Sequence, residues 1–150
     1  MRVIIAGAGI AGMTAAIALH QKGHDVVVFE QATALKEIGA GIQIAANATL
    51  VLRELGLEKD VASVSVIPQS YEMRDISTGK LLNLSPLGDL GTRHWGAPLY
   101  NIHRADLIDL LVRAVPSGIL KLGAQVADFE QDNDGVTVRL ASGEQMRGDI

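Results

Sequence analysis

Three glycines and one carboxylate near the start of the chain have the types and the spacing to hold a phosphorylated ligand. Gly7, Gly9 and Gly12 follow an apolar run, Val3-Ile4-Ile5-Ala6. A helical pattern comes next, then a second apolar run from Val26 to Phe29 that ends on Glu30, 18 residues past Gly12. Each part has a task in gripping an adenine dinucleotide. Gly7 allows a tight turn out of the first strand. Gly9, without a Cβ, lets the backbone approach a pyrophosphate. Gly12 lets the helix pack close to the sheet. The free N–H groups and positive end of that helix face the phosphates, and Glu30 stands where a carboxylate meets ribose hydroxyls. The glycines alone would also suit a plain strand–helix turn, and 16 glycines in 150 residues produce chance patterns. The order of strand, turn, helix, strand and acid around them carries the nucleotide reading.

The elements that must position these groups are legible in the same stretch. Residues 2–6 and 25–30 read as parallel, buried strands. Ile10–Lys22 reads as a helix with Ile10, Met13, Ala16, Ile17 and His20 near one face, stopped by Gly23. Residues 32–44 lack a period and read as a loop leading into a short extended piece. Asn47 is expected to cap a helix over 48–55 that Gly56 ends, with a further short helix around 58–63. Residues 69–75 and 80–84 form an expected hairpin about Ser77-Thr78-Gly79-Lys80. The Gly- and Pro-rich stretch 85–98 reads as loop. Arg104–Val115 carries a helical stripe of Leu107, Leu110, Leu111 and Ala114. Residues 119–122 suit a third parallel strand. Val126–Glu130 and Val136–Leu140 form a hairpin about Asp132-Asn133-Asp134-Gly135, and 146–150 opens one more strand. The fold class is therefore α/β: a Rossmann-like parallel sheet with helices, interrupted by hairpin material.

Composition excludes several functions. Apolar residues make up 48% of the chain, which marks a globular domain with a core, and the net charge of −4 gives no polyanion-binding surface. No cysteine is present, so disulfides, thiolate metal sites and thiol nucleophiles are out. The histidines have no metal-ligand spacing, and no serine sits in a nucleophile elbow. Five aromatics are too few for a base-stacking surface. Apolar runs are strand-sized, so no membrane span is expected, and without a signal peptide a cytoplasmic protein is the default. The last residues, Gly148-Asp149-Ile150, sit at a strand start, as expected of a portion of a longer protein.

Further segments narrow the nucleotide: Gly39-Ala40-Gly41-Ile42-Gln43-Ile44-Ala45-Ala46-Asn47-Ala48, then Ile102-His103-Arg104-Ala105-Asp106-Leu107, then Asp134-Gly135-Val136-Thr137-Val138 with Gly143 and Gly148-Asp149-Ile150. With the opening fingerprint, and in this order across the whole chain, they resemble the FAD-dependent aromatic-ring hydroxylases, such as the salicylate, 3-hydroxybenzoate and 6-hydroxynicotinate monooxygenases. The resemblance implies FAD as cofactor, NADH or NADPH as co-substrate, O₂, and a small hydroxylated aromatic acid as substrate. It places Gly7, Gly9, Ala11 and Gly12 at the pyrophosphate and Glu30, with Gln31 beside it, at the adenosine ribose. Gly41 and Gln43 would run along the flavin, Arg104 would lie against the middle of the FAD, and Val126 would offer backbone contacts to the adenine end. Residues 66–100 would begin the substrate-covering sheet. An arginine suits a diphosphate because guanidinium matches phosphate oxygens bidentately, although Arg104 also reads as a helix-start residue paired with Asp106 or Asp109. Gln43 in an extended segment also reads as simply solvated, and His103 as structural. The family's later acidic, glycine-containing segment and its glycine–aspartate motif do not occur in these residues, so the FAD site here is half a site and no catalytic base is identified. Another FAD oxidoreductase, such as an epoxidase or a drug-modifying hydroxylase, and a non-catalytic nucleotide-binding fragment remain the alternatives.

Overall fold

The computed structural model describes residues 1–35 and 40–150. Gly39 of the second motif lies outside the described residues. The elements are β1 (Arg2–Ala6), α1 (Ile10–Gln21), β2 (Asp25–Glu30), β3 (Gly41–Ile44), α2 (Ala46–Glu54), α3 (Glu58–Ser63), β4 (Ser70–Arg74), β5 (Leu81–Pro86), α4 (Leu90–Trp95), β6 (Tyr100–His103), α5 (Arg104–Ala114), β7 (Leu120–Leu122), β8 (Val126–Asp132), β9 (Gly135–Leu140) and β10 (Gln145–Gly148). They divide into two compact units, Met1–Ile38 with Leu107–Ile150, and Gly39–Asp106.

The first unit is built on a parallel sheet in the order β1-β2-β7. β1 and β2 pair in parallel from Arg2 opposite Asp25 to Ala6 opposite Phe29, as the apolar runs require. α1 makes the crossover and lies against both strands. Its Met13, Ala16 and Ile17 are buried, and Val26 and Val28 are buried on the strand it covers. Each large side chain fully buried here contributes about 1.5–3 kcal/mol. His20 does not share that face. It is exposed, in the last turn of α1 where the helix ends at Gly23 (φ +82°). β7 adds to the far edge of β2 in parallel, with Leu120 opposite Val28.

An antiparallel sheet, β10-β9-β8, packs on the other face. Phe29 meets Val138 and Leu140, with Ile4, Val27, Val136 and Met146 closing the cluster. Alternation along β2 explains the division: Val27 and Phe29 face this sheet, Val26 and Val28 face the helix. The expected strand at 146–150 does two things. Gln145–Gly148 pairs with β9, and then the chain turns onto the open edge of β1. There Asp149 N–H donates to the Arg2 carbonyl at 2.8 Å, and Ile4 N–H donates to the Ile150 carbonyl at 2.8 Å.

In the second unit β3 and β6 form an antiparallel pair, and β4 and β5 form the expected hairpin. The Asp75 carboxylate closes the hairpin turn by accepting from the N–H and hydroxyl of both Ser77 and Thr78. Two expectations need correction. Asn47 is not the cap of α2. Ala48 and Thr49 N–H donate to the carbonyl of Ala45, whose extended backbone (φ −74°, ψ 161°) makes it the N-cap, without a side-chain cap. Asn47 thus falls inside the first turn. Nor is 85–98 all loop, because α4 occupies its middle. Pro86, Gly96 and Pro98 flank that helix, and Gly91 within it is a packing residue: a Cβ there would overlap the Leu99 side chain.

Candidate functional site

The glycine turn connects β1 to α1 in the first unit. Gly7 has φ +103°, a region that L side chains rarely adopt, and its N–H donates to the Phe29 carbonyl at 2.7 Å. A Cβ on Gly12 would overlap the Gly7 carbonyl oxygen and crowd Ile5. Gly12 is thus what allows α1 to start directly above the turn. Gly9 differs. A Cβ there would meet no protein atom within 4 Å, so packing within the described chain does not explain the glycine, and the space over it stands open.

Gly9 is also the N-cap of α1, and it supplies no side-chain cap. The first intrahelical bond is Met13 N–H to the Gly9 carbonyl at 3.0 Å. The N–H groups of Ile10, Ala11 and Gly12 therefore have no helical acceptor. No acidic side chain occupies this first turn, so the helix does not compensate the positive end of its dipole from within.

Glu30 ends β2 beside this turn. Its Oε2 accepts from Ala8 N–H and its Oε1 from Ala32 N–H, both at 2.8 Å. These bonds, the one from Ala32 first, hold its carboxyl below its ordinary pKa of 4.5. Glu30 lines a cleft of about 190 Å³ with Ala6, Gly7, Phe29, Gln31, Ala124, Gln125 and Val126. Val126 sits on the edge strand of the antiparallel sheet. The Gln125 carbonyl accepts from Ala141 N–H, so by alternation the N–H and C=O of Val126 point away from β9. One cleft thus gathers Gly7, Glu30, Gln31 and Val126, while Gly9, Ala11 and Gly12 stand at the adjoining helix start.

In the second unit, β3–β6 pairing sets Gly41 opposite His103 and Gln43 opposite Asn101. These four lie on the exposed face of the ribbon, and Ile44, Tyr100 and Ile102 are buried on the other. Arg104 follows at the start of α5, its backbone N–H donating to the Ala40 carbonyl at 3.1 Å. Gly41, Gln43 and Arg104 are therefore neighbours through one strand pairing. Asn101 was not anticipated: only the register makes it the partner of Gln43, and no spacing rule in the sequence signals it. A hollow of about 420 Å³ in the same unit is walled by Ala45, Ala46, Leu50, Trp95 and Leu99, with Asn47 as its single polar side chain. Unlike the Glu30 cleft, it has no charged side chain in its lining. Among the described residues no group of three or more His, Cys, Asp or Glu could hold a metal ion, and no helix is long and apolar enough to cross a membrane.

The profile of one family, described as FAD binding domain, matches residues 1–149. The chain belongs to the FAD binding domain family. It is 37% identical over 150 residues to 3-amino-4-hydroxybenzoate 2-monooxygenase of Streptomyces cremeus, covering all of this chain and 38% of that protein. It is 31% identical over 149 residues to 6-hydroxynicotinate 3-monooxygenase of Bordetella bronchiseptica, covering 99% of this chain and 39% of the relative. Among solved structures, Klebsiella pneumoniae HpxO complexed with FAD and uric acid superposes over the whole chain and 38% of its own length, at 29% identity and a TM-score of 0.91. The chain thus spans under two fifths of the length of these relatives. The site fits the family's FAD on its own chemistry: open space over Gly9, unaccepted N–H groups at the start of α1, and a carboxylate lining the adjoining cleft.

Proposed function

We propose that this chain supplies the adenosine and pyrophosphate part of the FAD site of an NAD(P)H- and O₂-dependent monooxygenase that hydroxylates a small hydroxylated aromatic acid. The observation that carries the reading is the cleft beside the glycine turn, where Gly7, Glu30, Gln31 and Val126 meet next to the uncapped start of α1. The relatives support the substrate class: they include 3-hydroxybenzoate 6-hydroxylase 1 of Aquipseudomonas alcaligenes, 37% identical over 151 residues.

On this reading the N–H groups of Ile10, Ala11 and Gly12 donate to pyrophosphate oxygens, and Gly9 keeps the space over them clear. Glu30 accepts from the adenosine ribose, Gln31 stands beside it, and the outward N–H and C=O of Val126 meet the adenine edge. Gly41 and Gln43 run along the flavin, and Arg104 contacts the middle of the cofactor. The hairpin β4–β5 belongs to the substrate-covering region. FAD, when bound, supplies the electron transfer from NAD(P)H to O₂ and the activation of oxygen. The residues of this chain bind and orient it. None is assigned as acid or base.

Absorbance and turnover test the proposal on the longest chain the gene encodes. Purified protein is expected to be yellow, to release FAD on denaturation, and to oxidise NADH or NADPH faster with a hydroxybenzoate or hydroxynicotinate, forming ring-hydroxylated product. Colourless protein that cannot be reconstituted with FAD overturns the cofactor assignment. Flavin-loaded protein that hydroxylates none of these acids overturns the substrate class alone.

A further inference from the structure

Glu30 is already fully engaged on one side before any ligand is considered. Ala8, whose N–H it accepts, is buried between Gly7 and Gly9, so this bond fixes the peptide at the centre of the glycine turn. Ala32, whose N–H it accepts on the other oxygen, sits in the bend after β2. That bend carries the opposite wall of the cleft: the Ala32 carbonyl accepts from Gly123 N–H at 2.9 Å, and the Glu30 carbonyl accepts from Ala124 N–H at 2.8 Å. Residues 123–124 lead directly into Gln125 and Val126, which line the cleft. An ionised carboxylate has about four lone-pair sites. Ala8 and Ala32 take one site on each oxygen and the Gln31 N–H adds a weaker third contact, which leaves acceptor capacity for a further donor.

We propose that the Glu30 carboxylate is a two-sided clamp that builds the adenosine end of the site in advance, tying the glycine turn to the bend after β2 while its remaining lone pairs receive the ribose diol. The second half rests on the FAD reading above; the clamp itself does not. The residue type follows from the acceptor count. Glutamine has the same length but offers one acceptor oxygen, and its NH₂ group would face a backbone N–H. Aspartate is one carbon shorter and cannot reach both partners with the backbone as it stands. Glu30 is the one ionisable side chain lining the cleft among the described residues. It acts here as a positioning residue: it shapes the pocket as well as touching the ligand.

The test crosses a protein change with a ligand change. Wild-type protein and Glu30→Gln are titrated with FAD and with an FAD analogue whose adenosine lacks both ribose hydroxyls, and amide hydrogen exchange is followed at Ala8 and Ala32 in the FAD-free protein. The clamp predicts that E30Q weakens both ligands, the hydroxyl-free analogue by about tenfold, as expected for loss of a charge-assisted hydrogen bond. It also predicts exchange at Ala8 or Ala32 faster by about tenfold. Analogue affinity equal in the two proteins means that Glu30 acts through the ribose alone and overturns the proposal, as does unchanged exchange at both amides. If wild-type protein binds no FAD, the functional reading fails and the exchange arm still decides the clamp. If E30Q does not fold, wild-type protein decides it: the Ala8 and Ala32 amide resonances must shift together, with one midpoint, as Glu30 is protonated. Independent or absent shifts overturn the proposal.

Discussion

The glycine turn and the β3–β6 ribbon both carry residues proposed to meet one cofactor, yet they are held in different ways. At the turn, position is set by backbone: Gly7 by its positive φ, Gly12 by the carbonyl beneath it, Glu30 by two N–H groups. On the ribbon, Gly41 and Gln43 stand on an exposed face with Asn101 and His103 across from them. The neighbouring hairpin exposes Tyr71, Met73, Leu82 and Leu84 by half or more of their surface, or nearly so. The turn is thus held by backbone geometry that only certain residue types allow, whereas the ribbon is placed by ordinary strand pairing that most residue types allow.

Changes that separate packing from ligand contact break or sharpen that contrast. The largest effect is expected at Gly12→Val, where the new side chain overlaps the Gly7 carbonyl. Urea unfolding should show a loss of about 3 kcal/mol or more, with no FAD retained. A stable, flavin-loaded variant would mean that the turn is not rigid. Gly9→Val comes next and should divide the two properties. Its Cβ meets no protein atom, and the loss of a good N-cap residue should cost only about 1 kcal/mol of unfolding free energy, while FAD affinity falls on the order of 100-fold. Stoichiometric flavin in that variant would move the phosphates elsewhere.

Strong acid should weaken the turn through Glu30. The folded pKa of Glu30 is lowered by the N–H groups of Ala32 and Ala8. Its stabilising contribution is therefore complete above its ordinary value of 4.5 and is lost as pH falls through the lower folded value. NMR titration should show Ala8 and Ala32 moving in that window while Gly41 and Asn101 do not. The smallest effect is expected at Met73→Ser on the hairpin. Met73 is 50% exposed, so denaturation of this chain should shift by no more than about 0.5 kcal/mol. A loss of 2 kcal/mol would show that the hairpin face is packed in solution.

What the sequence made legible follows the same division. Gly7, Gly12 and Glu30 could be read because a sharp turn, a close approach and a terminal acid each restrict residue type. The parallel pairing of β1 and β2 followed from two apolar runs flanking a helix. Asn47 misled because capping was inferred from a side chain, whereas the carbonyl of Ala45 decides where α2 begins. α4 was hidden because its short helix is framed by glycine and proline, and Gly91 inside it serves packing. The pairing of Gln43 with Asn101 needs register, which spacing does not encode. The double use of Glu30 needs the directions of two backbone N–H groups, which a letter in a sequence does not carry.

The pairing of Asp149–Ile150 with β1 has a consequence in time. Arg2 N–H donates to the Asp149 carboxylate at 2.7 Å across 147 residues of chain. β1, which feeds the glycine turn, is synthesised well before the residues that cover its outer edge. At ribosomal speed that interval is roughly 10–30 s. Throughout it, β1 presents an unpaired strand edge, the kind of surface on which chains pair wrongly. The outer edge of the strand that feeds the glycine turn is therefore covered only once Asp149 and Ile150 are made, and conditions that slow synthesis prolong its exposure.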